Sequence, residues 1–153
     1  MKINTMNFKF IIIVIFVSTN TQSQEKIIKS DAKWKQILSP IEYYVLREKG
    51  TERATTAIYN KFYENGLYNC AACNTTLFES QYKYNSYSGW PAFDRSVKNN
   101  VTEVKDRSGG IQRIEVICAI CDGHLGHVFE DGPKTTGRRY CINSVSLNFQ
   151  PNK

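Results

Sequence analysis

The sequence contains little that could span a membrane, bind nucleic acid or join two domains. Its longest unbroken apolar run, residues 10–17, covers 8 residues, far fewer than the ~20 that a transmembrane helix needs. Its 20 basic residues lie among 14 acidic ones, so the formal net charge of +6 forms no patch typical of nucleic-acid binding. We find no internal repeat and no low-complexity linker in the 153 residues. The length therefore predicts a single globular domain.

Histidine is scarce and the number of cysteines is odd, and both numbers restrict the chemistry that the chain can perform. There are two histidines and five cysteines, and the odd number means that disulfide pairing cannot use every cysteine. Apolar residues make up 41% of the chain and charged residues 22%, a composition that excludes a disordered or fibrous protein.

The N-terminal residues 1–23 have the features of a secretory signal peptide. Lys2 provides a positive start without any acidic residue, residues 10–17 form a short apolar centre, and the small residues Thr21 and Ser23 stand two apart. We expect cleavage near Ser23 and export to the periplasm or the medium, with membrane contact only through this segment. An uncleaved membrane anchor and a buried strand of the domain are the alternatives.

A short helical part is predicted after a polar lead-in, residues 24–33. Ser39 can cap a helix that has Pro40 at its first position, and Glu42 completes a capping box. Gly50 is predicted to end this helix. The residues predicted to form one apolar face of it are Ile41, Tyr44 and Val45.

Strand patterns dominate the chain after Gly66. Residues 101–105 and 111–118 are two β-rich runs separated by a glycine-rich loop, which is typical of a hairpin. Residues 144–149 alternate between apolar and polar side chains and should form a strand with one wet face. We therefore expect one domain over residues 34–150, with a short helical part packed on antiparallel β structure.

Four of the five cysteines form two Cys-x-x-Cys pairs, each placed just after a predicted strand. Cys70 pairs with Cys73 and Cys118 with Cys121, and two such turns supply the four sulfur ligands that Zn²⁺ prefers. Four protein ligands leave no open position for a substrate, so the zinc would be structural. The alternatives are disulfide bonds, which export would permit, and a redox-active pair, although neither pair lies in a βαβ context.

The fifth cysteine, Cys141, lies in a segment that reads as a strand. A period of two places Arg139, Cys141 and Asn143 on one face. A neighbouring guanidinium lowers the pKa of a thiol and so favours the nucleophilic thiolate. A lone cysteine is, however, more often a small core residue, so the segment alone leaves both roles open.

Both histidines, His124 and His127, follow the second cysteine pair in a glycine-spaced segment. Two histidines beside a metal-fixed turn suit acid–base chemistry, with a metal role as the alternative. Asp131 follows closely and could orient a histidine or join a hydrogen-bond network. Residues 84–93, which include Trp90, combine aromatic and turn residues and form either a core corner or the apolar wall of a pocket.

Together these motifs resemble the type-B methionine sulfoxide reductases, the enzymes that reduce the R epimer of methionine sulfoxide. The resemblance covers residues 34–149, and the motifs stand in the order that the family has. The segments that carry it are residues 50–52, the two cysteine pairs, residues 88–93, residues 124–129 with Asp131 and Gly132, and residues 139–144.

The resemblance implies a role for each matching residue. Cys141 matches the nucleophile that attacks the sulfoxide sulfur and becomes a sulfenic acid, and His127 matches the group that protonates the sulfoxide oxygen. Trp90, helped by Phe129, matches the surface against which the S-methyl group packs. The residues that match the supporting hydrogen-bond network are His124, Asp131, Arg139 and Asn143. The residues that match the zinc ligands are Cys70, Cys73, Cys118 and Cys121.

The resemblance also implies a fold, a cofactor and partners. The fold is mainly β, with two antiparallel sheets of the β-tent or zinc-knuckle type, short N-terminal helices and one structural zinc at one end. The substrates are oxidised proteins or peptides, and we expect a monomer. Ser88 stands where many members carry a resolving cysteine, so the sulfenic acid must be reduced by an external, thioredoxin-like thiol donor.

Two functions of other classes compete with this hypothesis. A non-catalytic zinc-knuckle binding module could use the same scaffold with Cys141 as an inert core thiol. A general thiol–disulfide oxidoreductase would act through one of the two Cys-x-x-Cys pairs. The binding module has no need for Arg139, His127 and Trp90 together.

Overall fold

The structure, a computed structural model, describes residues 25–152. The predicted signal peptide, residues 1–23, lies outside the described residues. None of the helices in the described part of the chain is long and apolar enough to cross a membrane.

The described chain has two short helices followed by nine short strands. The helices are α1 (Asp31–Ile37) and α2 (Pro40–Glu48). The strands are β1 (Gly66–Cys70), β2 (Thr76–Glu79), β3 (Lys83–Tyr84), β4 (Ala92–Phe93), β5 (Val101–Asp106), β6 (Arg113–Cys118), β7 (His124–Phe129), β8 (Arg139–Ile142) and β9 (Leu147–Pro151). Short 3-10 turns occur at Ser80–Tyr82, Ser108–Gly110 and Ser144–Ser146.

The strands form two antiparallel sheets, as expected. One has three strands in the order β2-β1-β9, and the other has six in the order β3-β4-β8-β7-β6-β5. The predicted hairpin is confirmed: β5 pairs with β6 from Val101 opposite Cys118 to Asp106 opposite Arg113. The prediction of a mainly β fold with two antiparallel sheets and short N-terminal helices is confirmed.

Local capping chemistry sets the start of α2 as predicted. The Ser39 hydroxyl accepts a hydrogen bond from the backbone N–H of Glu42, and the Glu42 carboxylate accepts one from the N–H of Ser39 at 2.7 Å. The helix ends one residue earlier than expected, because Lys49 adopts the left-handed conformation with φ 59°. Gly50 leaves room for the Tyr44 ring, since a Cβ there would lie 2.2 Å from it and the ring would have to move.

The predicted apolar face of α2 is wrong for two of its three residues. Ile41 is 47% exposed and Tyr44 46%, whereas Val45 and its neighbour Leu46 are fully buried. The buried face of α2 therefore contains Val45 and Leu46. Helix α1 begins at Asp31, inside the segment predicted as a loose lead-in, because Ser30 caps it and Trp34 is buried in the core.

The last predicted strand begins three residues later than expected, at Leu147. Ser144 and Ser146 instead lie in a buried 3-10 turn. The Ser144 hydroxyl accepts a hydrogen bond from the N–H of Tyr59 at 3.1 Å, and the Ser146 hydroxyl donates to the Asn143 carbonyl at 2.7 Å. Serine side chains that bond to the backbone in this way compete with strand formation.

Aromatic side chains join the two sheets. Phe78 of β2 stacks on Phe93 of β4 with ring centroids 4.5 Å apart, and Tyr68 of β1 meets the same Phe93 edge-on at 5.0 Å. All three are fully buried. Burying such rings contributes much of the hydrophobic stabilisation of a small domain, and here it fixes the six-stranded sheet on the three-stranded one.

The six-stranded sheet has one apolar and one polar face. Directly opposed residues of antiparallel strands project to the same side, and Glu115, His127 and Cys141 are opposed across β6, β7 and β8. The alternate residues Val116, Val128, Tyr140 and Ile142 are buried in the core. The polar face therefore presents a row that runs from a carboxylate through an imidazole to a thiol.

Candidate active site

A cavity of about 140 Å³ opens on this polar face. Five of the predicted site residues line it: Cys141, His127, Asn143, Trp90 and Phe129. The remaining lining residues are Thr51, Arg113, Gly126 and Ile142. The sequence left open whether residues 84–93 form a core corner or a pocket wall, and the segment does both. Trp90 forms a cavity wall, while Phe93 is buried in the core.

Cys141 is half-buried on β8. Its neighbours in the strand, Tyr140 and Ile142, are buried on the opposite face. Its Sγ lies 3.7 Å from the Ser88 hydroxyl, which is itself 2.8 Å from the Ser86 hydroxyl. Burial raises the pKa of the Cys141 thiol, and the Ser88 hydroxyl and the Arg139 charge offset this only in part. Arg139 therefore lowers the pKa of the thiol, as expected, but burial outweighs its effect.

Arg139 is fixed by a carboxylate and an aromatic ring. Its Nε and Nη2 donate to the two oxygens of Asp131 at 2.8 and 2.9 Å, and its guanidinium lies 4.3 Å from the centre of the Phe129 ring. The hydrogen bonds from Arg139 lower the pKa of Asp131. Asp131 thus holds an arginine, and the structure pairs neither histidine with it.

His127 is held by a carboxylate that the sequence analysis missed. Its Nε2 lies 2.9 Å from Oδ2 of Asp106, the last residue of β5, and Nη2 of Arg113 donates to the same oxygen at 2.9 Å. Asp106 and Arg113 are opposed in the register of the β5–β6 hairpin. Knowledge of that register would have placed the carboxylate on the face that carries His127.

His124 lies outside the cavity lining and is almost fully buried beside His127, with ring centroids 5.5 Å apart. Its Nδ1 lies 2.7 Å from Oε1 of Glu115, whose Oε2 accepts a hydrogen bond from Lys49 at 2.8 Å. Burial lowers the pKa of His124, and the Glu115 carboxylate offsets this only in part. Burial raises the pKa of Glu115, but the hydrogen bonds from Lys49 and His124 outweigh it and leave that pKa lowered.

Asn143 and Trp90 are tied together through Glu52. Asn143 accepts a hydrogen bond from the backbone N–H of Glu52 at 3.0 Å and donates one to the Leu125 carbonyl at 3.0 Å. The Trp90 indole N–H donates to the Glu52 carbonyl at 3.1 Å. The buried Glu52 carboxylate accepts from the backbone N–H of Ser144. One loop residue therefore aligns the polar and the aromatic wall of the cavity.

Glycine at position 126 lets the strands of His127 and Cys141 approach closely. A Cβ on Gly126 would lie 2.1 Å from the Cys141 carbonyl oxygen and 3.0 Å from the Cα of Ile142. Contacts below 3.0 Å force the backbone to shift. Only glycine fits there without moving β8 and the thiol that it carries.

The other four cysteines form a separate cluster whose ligand atoms all lie within 4.8 Å of one another. The sulfurs of Cys70 and Cys121 are 3.7 Å apart, and those of Cys73 and Cys118 are 3.5 Å apart. Disulfide sulfurs would be about 2.05 Å apart, and all five cysteines are free. Four sulfurs around one metal ion at about 2.3 Å would be about 3.8 Å apart, so the cluster fits one ion.

The pKa shift of Cys141 yields a test in the free protein. The pH dependence of iodoacetamide alkylation at Cys141, followed by peptide mapping, should have its midpoint above the ordinary cysteine value of about 8.5. Arg139→Gln removes a nearby positive charge and should move the midpoint further up, whereas Arg139→Lys should keep it closer to the wild type. Arg138→Gln is the matched control, since Arg138 pairs with Glu103. A midpoint below 8.5, or none of these shifts, contradicts this account.

The family model and the curated relatives that match this chain indicate one family. The family model of the SelR domain matches residues 38–151. A protein of Chromohalobacter salexigens is 53% identical over 129 residues, covering 83% of this chain and 97% of its own. One of Leptospira interrogans is 54% identical over 123 residues, covering 80% and 94%, and one of Bradyrhizobium diazoefficiens is 51% identical over 130 residues, covering 84% and 94%.

All three relatives bear the name peptide methionine sulfoxide reductase MsrB. The resemblance drawn from the motifs is confirmed, and the chain belongs to the SelR-domain family of the peptide methionine sulfoxide reductases MsrB.

Proposed function

We propose that this protein reduces the R epimer of methionine sulfoxide in peptides and proteins to methionine, and so repairs oxidised proteins. The observation that carries the proposal is the pairing of a thiol with an imidazole. Cys141 and His127 are directly opposed on β8 and β7, and both line the cavity that Trp90 and Phe129 enclose. The names of the relatives support the same activity.

The reaction needs a nucleophile and an acid at the same moment. The Cys141 thiolate attacks the sulfoxide sulfur while a proton passes from the His127 imidazolium to the sulfoxide oxygen, because that oxygen leaves poorly without a proton. The attack forms a bond between the two sulfurs. The sulfur–oxygen bond of the substrate then breaks as the hydroxyl moves to the Cys141 sulfur, and the sulfur–sulfur bond breaks to leave Cys141 as a sulfenic acid. The substrate sulfur gains two electrons and leaves as methionine, while the cysteine sulfur loses two.

Formation of the thiolate is assisted by the groups around Cys141. Burial disfavours the thiolate, but the Arg139 charge and the Ser88 hydroxyl both stabilise it. Asp131 and the Phe129 ring hold Arg139 in this position. We therefore assign Arg139 and Asp131 to support of the nucleophile, and Asn143 to alignment of the cavity wall through Glu52.

Selectivity for one epimer follows from the different chemistry of the cavity walls. A chiral sulfoxide sulfur carries an oxygen, a methyl group and the rest of the side chain. Trp90 and Phe129 offer apolar surface to the methyl group, while His127 offers a proton to the oxygen. When Cys141 approaches the sulfur of the other epimer, the oxygen and methyl positions are exchanged, so the methyl group meets the acid.

Regeneration of Cys141 requires a thiol from another molecule. Ser88, the residue 3.7 Å from the Cys141 sulfur, has a hydroxyl and cannot form a disulfide. The other four cysteines lie together in the metal-binding cluster. A thioredoxin-like protein, periplasmic or linked to the membrane, is the donor that we propose, and we propose a monomer that binds no nucleic acid.

We further propose that the four-cysteine cluster binds one zinc ion with a structural role. Cys70, Cys73, Cys118 and Cys121 supply the all-sulfur, four-ligand set that is typical of structural zinc. The bound zinc would contribute folding free energy. Its ligand Cys121 is followed by Asp122, in the left-handed conformation, and then by β7, so the cluster anchors the start of the strand that carries both histidines.

The activity is tested with the separated R and S epimers of a capped methionine sulfoxide and a dithiol reductant. We expect turnover of the R epimer only, and its loss of more than about 100-fold in Cys141→Ser, because general acid catalysis cannot act without the nucleophile. The metal content of Cys141→Ser should equal that of the wild type. Turnover of both epimers, or an active Cys141→Ser, contradicts the proposal.

The metal is tested with Cys73→Ser, which removes one ligand from the cluster. We expect about one zinc per chain in the wild type and much less in the variant, with a melting temperature lower by more than about 5 °C, since metal binding and folding are coupled. Thr75→Ala, which removes only a hydroxyl 3.1 Å from the Cys73 sulfur, is the matched control. Equal zinc content in Cys73→Ser and the control would refute the site.

We also propose that the protein is exported, with residues 1–23 as a signal peptide. The support is the sequence pattern of a charged start, a short apolar centre and small residues before Gln24. Fractionation and N-terminal mass analysis of the chain made in its host should find a mature protein outside the cytoplasm that begins near Gln24. Ile13→Asp, which interrupts the apolar centre, should retain the full-length chain in the cytoplasm. An intact cytoplasmic wild-type chain contradicts export.

A further inference from the structure

Asp106 makes contacts that the proposed reaction has not yet used. Its Oδ1 accepts the backbone N–H of Ser108 at 2.8 Å, and its Oδ2 faces both Arg113 Nη2 and His127 Nε2 at 2.9 Å. Its side chain is only 13% exposed. The hydrogen bonds from Ser108 and His127 hold the pKa of Asp106 well below its ordinary value. This carboxylate is therefore ionised, fixed at both oxygens and attached to one ring nitrogen of His127.

The other ring nitrogen of His127 is left for the cavity. Within residues 25–152 no group hydrogen-bonds to Nδ1 of His127, and His127 forms part of the cavity wall opposite Cys141. Asp106 itself is absent from the residues that line the cavity. A substrate in the cavity would therefore meet His127 without touching Asp106.

We propose that Asp106 is a positioning residue that holds His127 by Nε2 and so makes Nδ1 the nitrogen that delivers the proton to the substrate oxygen. This inference rests on the proposed function of Cys141 and His127. Arg113 lines the cavity and also holds the carboxylate to which His127 is bound.

The proton inventory explains why the carboxylate belongs at Nε2. The imidazolium carries one proton on each nitrogen, and the reaction moves the Nδ1 proton to the sulfoxide oxygen. The neutral ring that remains has its proton on Nε2, where the Asp106 carboxylate accepts a hydrogen bond from it. A carboxylate bonded to one nitrogen of a histidine thus fixes both the ring orientation and the tautomer. Without Asp106 the ring could rotate, or carry its remaining proton on the wrong nitrogen.

His124 provides an internal contrast. Its carboxylate partner, Glu115, lies at Nδ1, so its neutral form should carry the proton on Nδ1. The two histidines of the chain are therefore expected to be opposite tautomers, although they are three residues apart and their rings are in contact.

The first test measures the tautomers directly by ¹⁵N NMR of the imidazole-labelled full chain, at a pH where both rings are neutral. We expect His127 to carry its proton on Nε2 and His124 on Nδ1. Asp106→Ala should change the His127 pattern and leave the His124 pattern unchanged, which also reports that the fold is intact. An Nδ1–H tautomer for wild-type His127, or no change in Asp106→Ala, would overturn the inference.

The second test separates positioning from structural support by kinetics. In Asp106→Ala the single-turnover rate of methionine formation should fall about 10-fold or more, which is part of the 10²–10⁴ that a general acid contributes. KM should stay within about twofold, since Asp106 does not line the cavity. The alkylation rate of Cys141 by iodoacetamide needs no acid and should also stay within about twofold.

The matched control is Glu103→Ala on the same strand. Glu103 is also paired with an arginine, Arg138 at 2.5 Å, but it stands three positions from Asp106 and so on the other side of β5. Its rate should remain within about twofold of the wild type. In a His127→Ala background, the Asp106→Ala change should have no further effect on the rate.

The outcomes distinguish this inference from the proposed function. A wild type that turns over neither epimer refutes the function itself. An active wild type with an equally active Asp106→Ala, or a rate loss that persists in the His127→Ala background, refutes only the positioning role. If Asp106→Ala does not fold, Asp106→Asn, which removes the charge alone, decides by the same measurements: a loss of at least about threefold supports the role, and full activity overturns it.

Discussion

The antiparallel pairing of β6, β7 and β8 is the constraint on which the site depends. This register sets Glu115, His127 and Cys141 opposite one another, on one face of the sheet. The opposite face carries core residues, namely Val116, Val128, Tyr140 and Ile142. A register slip of one residue would exchange the two faces. Hydrophobic burial on one side therefore enforces the chemical alignment on the other.

The polar face is organised by carboxylates that each hold one or two basic groups, since Asp106 also accepts from Arg113 and Glu115 from Lys49. Asp106 is paired with His127, Glu115 with His124, and Asp131 with Arg139. The carboxylates come from β5, β6 and the segment after β7, so the arrangement exists only when these elements have assembled. Pairing is the means by which charged groups are accommodated in sites that are partly closed to water.

The sequence predicts well where the physical cause is local. The capping box of α2 depends on Ser39, Pro40 and Glu42 alone, and the β5–β6 hairpin depends on two strand-forming runs beside a glycine-rich turn. The spacing within each Cys-x-x-Cys pair likewise predicts the four-cysteine cluster. In each case the residues that decide the structure are neighbours in the chain.

The sequence predicts poorly where a distant partner decides. The predicted apolar face of α2 is wrong at Ile41 and Tyr44, because nothing in the helix itself indicates which side the β domain covers. Asp106 was missed as the partner of His127, since the two meet only through the strand register. The net pKa shift of Cys141 is another such case, because the charge of Arg139 is visible in the sequence, whereas the burial of the thiol, which outweighs it, is not.

The glycine at position 126 has a consequence for the stability of the site geometry. Since no side chain separates Gly126 from the backbone of Cys141 and Ile142, the two strands meet main chain to main chain. The distance between the Cα atoms of His127 and Cys141 is then set by the hydrogen-bonded ladder, in which opposed Cα atoms are about 4.5–5.5 Å apart. Rotamer changes in the surrounding core cannot widen such a spacing. The Cα atoms that carry the reacting pair are therefore held at a distance that the peptide backbone sets.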